Sequence, residues 1–238
     1  MFQVQTYTSN GNRKNNEDSF AYDISPKSAC FIVADGLGGH ANGKEASALV
    51  SEHAIKQYVN GEKSLAKIVE SCQNELVSMQ KSCRDFEDMK TTIVMLHIKN
   101  KSAQWVHVGD SRLYHFHKGT VVSRTKDHSV PQKLCEMGMI KEDEIRYHPQ
   151  RNQLLRAMGN AWEKPQYDVS KKKRIRKNDA FLLCSDGFWE HISDIKMEEL
   201  LQEANDVKGW LDSMVEVIHN KEVNCSRDNL TAIAVMCD

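Results

Sequence analysis

Only four prolines occur in 238 residues, and no Pro-rich linker, internal repeat or low-complexity tract interrupts the chain, so no domain boundary declares itself. Seven cysteines make an odd set without a CxxC pair, which argues against a disulfide framework or a zinc ribbon and reads as reduced, mostly buried thiols. Long apolar runs are missing as well. The opening residues "MFQVQTYTSN" alternate apolar and polar side chains without a basic segment, so neither a signal peptide nor a membrane span is expected, and the cytoplasm is the expected location. A formal net charge of −1 supplies no global field toward nucleic acid or an anionic membrane, and neither is expected as a partner. The one basic run, "KKKRIRK" at Lys171 to Lys177, reads as a solvated strand or loop face rather than a phosphate-facing patch.

What is present is sheet. Apolar or alternating runs occupy Phe2 to Tyr7, Ser19 to Ile24, Ala29 to Ala34, Thr91 to Ile98, Ala103 to Val108, Arg112 to His117, Thr120 to Arg124, Ala180 to Cys184 and Leu230 to Met236. The short polar connections "KNKS" and "HKG" predict antiparallel hairpins. Helical periodicity covers Lys44 to Val59, Lys63 to Gln80 and Asp206 to His219, with Asp206 placed to accept from free N–H groups at a helix start. Consecutive helices between runs of strands predict an α+β layered domain with sheets inside and helices outside. A hydrophobic fraction of 40% and a charged fraction of 27% suit one globular domain over residues 1–238. Asp127 to Gly159 reads as an excursion from the sheet of the kind that flanks a site.

The stretch "FIVADGLGGHANGKEAS" satisfies parts of three patterns. Gly38-x-x-x-x-Gly43-Lys44 matches most of a phosphate-binding loop, but Glu45 stands where a hydroxyl should ligate magnesium, and a carboxylate there would repel a nucleotide phosphate. Gly36-x-Gly38-x-x-Ala41 matches a dinucleotide fingerprint, which then requires a second parallel strand; the sequence offers helix. The third pattern begins with Asp35 at the end of an apolar run. "HVGDSR" puts Asp110 in a like position, "FLLCSDG" does so for Asp186, and "SRDN" sets Asp228 just before the last strand. One aspartate at a strand end is an ordinary turn former. Four that meet would repel one another and need cations to offset the charge. Hard oxygen ligands without a His or Cys cluster favour magnesium or manganese, and two such ions sharing Asp35 would make hydroxide available at neutral pH. His115 and His117, side by side on one strand face, read as structural.

"GNRKNNEDSF" adds Arg13, whose planar fork suits phosphate oxygens, a few residues before the acidic pair Glu17 and Asp18. Together with the aspartates this points to phosphate-ester hydrolysis. A thiolate mechanism would need Cys-x5-Arg, and no cysteine is followed by arginine at that spacing.

The ordered segments "RKNNEDSF", "VADGLGGHANGKEAS", "HVGDSRLY", "TKDHS", "HPQRNQLLRAMG", "FLLCSDGFWE" and "SRDNLTAIAV" resemble the metal-dependent PPM-type (type 2C) protein serine/threonine phosphatases, in particular the compact bacterial form. The resemblance implies a four-layer α/β/β/α sandwich with two central antiparallel sheets. It implies a core of two Mn2+ or Mg2+ ions, with Asp35 bridging, Gly36 supplying a backbone carbonyl, and Asp186 and Asp228 as further ligands. Arg13 corresponds to the phosphate-binding arginine, Glu17 and Asp18 to the acidic pair around the metal waters, and Asp110 to the ligand of a weaker third ion. A flap over about 130–149 is implied beside the site. The implied reaction is direct attack on phosphorus by hydroxide activated by the two ions. Phosphorylated proteins would be the substrates and a serine/threonine kinase the opposing partner, with the phosphatase a monomer. The rival reading is a catalytically silent relative acting as a binding module, which would predict lost metal carboxylates. Three departures from the pattern are Leu37 after Asp35-Gly36, where animal members carry a histidine; Glu190, where aspartate is common; and Lys90, where glycine often precedes the Thr pair.

Overall fold

The computed structural model describes residues 2–37, 42–220 and 228–237. Along it run β1 (Phe2–Ser9), β2 (Asp18–Ser25), β3 (Ser28–Asp35), α1 (Gly43–Val59), α2 (Leu65–Ser82), β4 (Ile93–Lys99), β5 (Ser102–Val108), β6 (Arg112–His117) and β7 (Thr120–Arg124). Then come α3 (Val130–Glu136), β8 (Asp168–Val169), β9 (Lys173–Arg174), β10 (Asp179–Cys184), α4 (Asp186–Trp189), α5 (Asp194–Glu203), α6 (Val207–Asn220) and β11 (Leu230–Cys237). One sheet has the order β1-β11-β10-β6-β7; the other has β2-β3-β4-β5-β8, with β9 also on β5. The registers among the described strands are antiparallel. The βαβ unit that either nucleotide motif requires is therefore missing from the described residues, and α1 leads into α2. Gly38, His40 and Ala41 of those motifs lie outside the described residues.

Period-two alternation sorts the side chains into three apolar layers. Phe31 and Val33 of β3, Val94 and Leu96 of β4, Phe181 and Leu183 of β10, and Ile233 and Val235 of β11 meet between the sheets. Their neighbours Cys30, Ile32 and Met95 face outward onto Val50 and Ala54 of α1 and Ile68, Val69 and Leu76 of α2. On the opposite side Leu182, Ala232 and Ala234 pack against Trp210, Leu211 and Met214 of α6 and Met197 of α5. The result is helices, sheet, sheet, helices: the expected α/β/β/α sandwich.

Boundaries shift where caps decide. α2 starts at Leu65 because the Ser64 hydroxyl accepts from Lys67 N–H, and α6 starts after Asp206, which accepts from Gly209 N–H at 2.7 Å. β4 starts at Ile93 because Thr91 pairs with both Gly36 and Met158 in isolated bridges. α5 was not anticipated: its ten residues leave Ile195 69% exposed, which blurs the apolar stripe, although Ser193 caps it onto Lys196 N–H at 3.2 Å. The basic run is exposed at Lys171 to Arg174, partly as β9.

Registers place the site. Asp18 pairs with Asp35, Arg112 with Cys184, and Cys184 with Ala232. The end of β3, the starts of β2 and β6, the end of β10 and the start of β11 therefore share one edge of the sandwich. Beside it, α3 is capped by Ser129, and the 3-10 turn Glu142–Tyr147 is tied down by Arg146, which donates to the carbonyls of Trp189 (3.0 Å) and Ile192 (2.7 Å).

Candidate metal centre

Asp35 closes β3, and two threonines hold its backbone. Its N–H donates to Thr92 Oγ1 at 3.0 Å, and its carbonyl accepts from Thr92 N–H and Thr91 Oγ1, both at 2.8 Å. Thr92 Oγ1 also lies 2.7 Å from Ser111 Oγ, which links the Asp35 strand end to the residue after Asp110. Gly36 then passes through a gap that admits no side chain: its N–H donates to the Glu17 carbonyl at 3.0 Å, and a Cβ would sit 2.2 Å from the Gly43 carbonyl oxygen and 2.6 Å from that of Glu17.

Asp110 is 5% exposed, and its carbonyl accepts from Trp189 Nε1 at 3.0 Å. Asp186 opens α4. Asp18 takes the Ser185 hydroxyl on Oδ2 at 2.7 Å, while its Oδ1 is buried with no hydrogen-bond partner. Arg13 grips Asp228 with both edges of the guanidinium, Nε to Oδ1 at 3.0 Å and Nη2 to Oδ2 at 2.7 Å. Asn229 fastens this corner: Oδ1 accepts from Glu17 N–H at 2.7 Å, and Nδ2 donates to the carbonyls of Asn10 (3.0 Å) and Asn15 (2.9 Å). Arg13, Glu17, Asp35, Gly36, Asp110, Asp186 and Asp228 line one cleft of about 460 Å³. Asp18 completes the set beneath it, so all eight residues singled out from the sequence converge.

The electrostatics are those of crowded carboxylates. Burial, then Asp18, Asp186 and Asp110, push Asp35 well above the usual carboxylate range. Burial and Asp186 do the same to Asp110. Burial pushes Asp18 up to about 7 against the pull of the Ser185 hydroxyl. Glu17 is raised by burial and by Asp228, with Arg13 opposing. Glu190, 3.1 Å from Arg151 Nε, is pushed up to about 7 by burial and Asp186. A site of crowded, buried carboxylates, one of whose oxygens has no donor, fits divalent cations: the donors are hard oxygens and the surplus charge is negative.

Residues 8–233 match the model of the family described as protein phosphatase 2C. The chain belongs to the protein phosphatase 2C family. Among 2C relatives, the serine/threonine protein phosphatase PstP of Mycobacterium tuberculosis is 33% identical over 196 residues, 80% of this chain; the chain spans 37% of that relative's length. The crystal structure of the serine/threonine phosphatase Stp1 from Staphylococcus aureus superposes with a TM-score of 0.89 at 27% identity, covering 100% of this chain and 96% of that one. The catalytic domain of PstP in complex with two manganese ions superposes with a TM-score of 0.81 at 26% identity, covering 99% and 97%. A member of the same fold thus holds two manganese ions.

Sequence reasoning passed over the residues that hold the carboxylates rather than being carboxylates: Thr92, Ser185, Trp189 and Asn229. Ser185 and Asn229 stood inside the quoted motifs, each beside its aspartate; nothing in the sequence said that they reach across to Asp18 and Glu17. Lys14, Lys90, Asn152 and Asn160 also line the cleft. Arg227, Ser226 and Cys225 lie outside the described residues.

Proposed function

We propose that this chain removes phosphate from phosphoserine and phosphothreonine in proteins, and that residues 1–238 form one catalytic domain. The observation that carries the reading is the meeting of Asp35, Asp110, Asp186 and Asp228, from four separate strand ends, in a single cleft with Arg13 at its lip. Asp35, Asp186, Asp228 and the Gly36 carbonyl would hold two divalent ions, Mn2+ or Mg2+, and Asp110 a third. Bound there, the ions would make hydroxide available near neutral pH and offset charge on the phosphoryl oxygens.

The chain's own groups supply the rest. Arg13 uses Nε and Nη2 on Asp228, and with 54% of its side chain exposed its remaining N–H groups can turn to a phosphate oxygen. Asp228 thereby aims the arginine as well as contributing a ligand. Glu17 and Asp18 offer acceptors to water in the cleft. Asn229 keeps the Asn10 to Glu17 arm against β11, so that the arginine stays over the acidic floor. We place the protein opposite a serine/threonine kinase, acting as a monomer.

Hydrolysis of a phosphothreonine peptide tests this directly, with Mn2+, with chelator, and with Asp35→Asn. Turnover should require the cation and fall by about 100-fold or more in the variant. A folded protein without turnover under Mn2+ or Mg2+ would overturn the reading in favour of a silent binding module.

A further inference from the structure

A hydrogen-bonded chain outside the acidic cleft ends on the peptide beside Asp110. Gly109 turns β5 into β6 with φ at +100°, and one residue holds both of its polar backbone groups. Its N–H donates to His128 Nδ1 at 3.2 Å, and its carbonyl accepts from His128 N–H at 2.9 Å. Across the same ring, Nε2 lies 3.1 Å from Asp168 Oδ2, while Asp168 Oδ1 accepts from Arg156 Nη1 at 3.1 Å. His107 stacks on the ring with centroids 4.5 Å apart, anchored by its own bond to the Lys126 carbonyl at 2.7 Å. Both rings are buried.

Proton accounting decides what this cluster is. A backbone N–H can only donate and a carboxylate only accept, so Nδ1 of His128 carries a lone pair and the ring hydrogen sits on Nε2, facing Asp168; Arg156 Nη1, 3.3 Å from Nε2, is then a second donor there and acts through Asp168 instead. His107, His128 and Asp168 bring ligand atoms within 4.8 Å of one another, a spacing that would suit a metal. A metal on Nε2, however, would need the hydrogen on Nδ1, where the Gly109 N–H already points. The hydrogen bonds therefore describe orientation: Arg156 sets Asp168, Asp168 sets the imidazole, and the imidazole sets Gly109.

We propose that His128 is a positioning residue for Asp110, fixing the peptide on its N-terminal side while the Trp189 indole fixes the carbonyl on the other. Gly109 is packed closely against Thr92. A Cβ there would lie 2.6 Å from Thr92 Cγ2, and Thr92 is the residue that holds Asp35. His128 also immediately precedes Ser129, the cap of α3, and its carbonyl accepts from Leu155 N–H at 2.7 Å. One side chain thus ties the segment beside the cleft to an acidic residue within it. The role rests on the reading of Asp110 as part of a divalent-ion site.

The test pairs His128→Phe, which keeps the ring and its stack but offers no acceptor, with His128→Asn, which returns an acceptor near the place of Nδ1. Amide hydrogen exchange of the metal-free protein and calorimetric titration with Mn2+ are the readouts, beside turnover of p-nitrophenyl phosphate. In the Phe variant the Gly109 amide should exchange about 10-fold faster, the Mn2+ concentration for half-saturation should rise about 10-fold, and kcat should fall by a similar factor with KM within about twofold. Asn should recover each to within about threefold, and in an Asp110→Ala background the Phe change should add nothing to the loss of Mn2+ binding. Unchanged Mn2+ binding in the Phe variant, effects that add to Asp110→Ala, or a folded Asn variant no better than Phe would overturn the role.

If the Phe variant does not fold, Asp168→Asn decides. Its carboxylate is 58% exposed, and the change should weaken Mn2+ binding about threefold in the natural chain and not in His128→Asn, which lacks the Nε2 donor. Equal effects in both overturn the proposal. A protein that gives the expected exchange and Mn2+ results but hydrolyses no phosphoester would overturn the phosphatase reading while leaving the positioning role in place.

Discussion

At Gly36 the site depends on what is not there. Asp35 can be held by Thr91 and Thr92 while the next peptide lies against Glu17 only because no Cβ occupies the space 2.2 Å from the Gly43 carbonyl. Gly36→Ala must therefore displace backbone on one side or the other, and misplacement of a ligand by about 1 Å can cost about 100-fold in turnover. We expect a loss of that order in Mn2+-dependent turnover, with far-ultraviolet circular dichroism unchanged. Near-natural kcat in a folded Gly36→Ala protein would show that the gap is not needed. The residue scale also shows why the aspartates were legible. Each stands in a short motif beside Gly, Ser or Asn, where an apolar run ends or, for Asp228, begins, and that pattern survives without any knowledge of partners.

Between elements, the most consequential contact is a buried ion pair. Arg112, at the start of β6, donates Nε and Nη2 to the two oxygens of Asp127 at 2.8 and 2.7 Å, with both side chains almost wholly buried. Nη1 goes to the Tyr114 hydroxyl at 3.0 Å, and the guanidinium lies 3.3 Å from the centre of the Trp189 ring. The pair thus joins β6 to the segment leading to α3 and presses on the indole that bonds the Asp110 carbonyl. Asp127→Asn would leave a buried guanidinium without its counter-charge, and we expect a loss of about 3–5 kcal/mol in urea denaturation. A loss under about 1 kcal/mol would mean that water or relaxation takes the place of the carboxylate. This contact was invisible in "HVGDSRLY" and "TKDHS" read separately. Only the bend that brings Thr125 N–H to the Leu113 carbonyl sets the two motifs side by side.

For the molecule as a whole, the crowded carboxylates link stability to pH and to cations. Asp18 and Glu190 are raised to about 7, and Asp35 and Asp110 lie well above the usual carboxylate range. A raised carboxylate contributes stability that is fully present below its unfolded pKa of about 4 and is lost as pH rises through the folded value. The buried histidines act in the opposite sense. His97 and His128 are lowered to about 4 by burial, so their term favours the folded state increasingly up to about pH 6.5 and is flat beyond it. The carboxylate term is therefore isolated above pH 6.5. In chelator we expect Tm to fall from pH 6.5 to 8.5, and Mn2+ to raise Tm more at pH 8.5, where it no longer competes with protons. A flat or rising Tm in chelator over that interval would contradict the crowding.

The sequence by itself determined the class of the protein. Period-two runs joined by short polar turns meant antiparallel sheets, paired helical stretches meant outer layers, and the carboxylates and the arginine of the candidate site declared their chemistry locally, while the part of Gly36 came from the family resemblance. The tertiary structure alone decided which strand ends meet, which hydroxyls, amides and indole hold the aspartates, and that His128, Asp168 and Arg156 form one chain onto Gly109. The physical reason is range. Propensity and chemical type are properties of a few neighbouring residues, whereas a hydrogen bond between Asn229 and Glu17, 212 positions apart, exists only after two sheets have stacked in register.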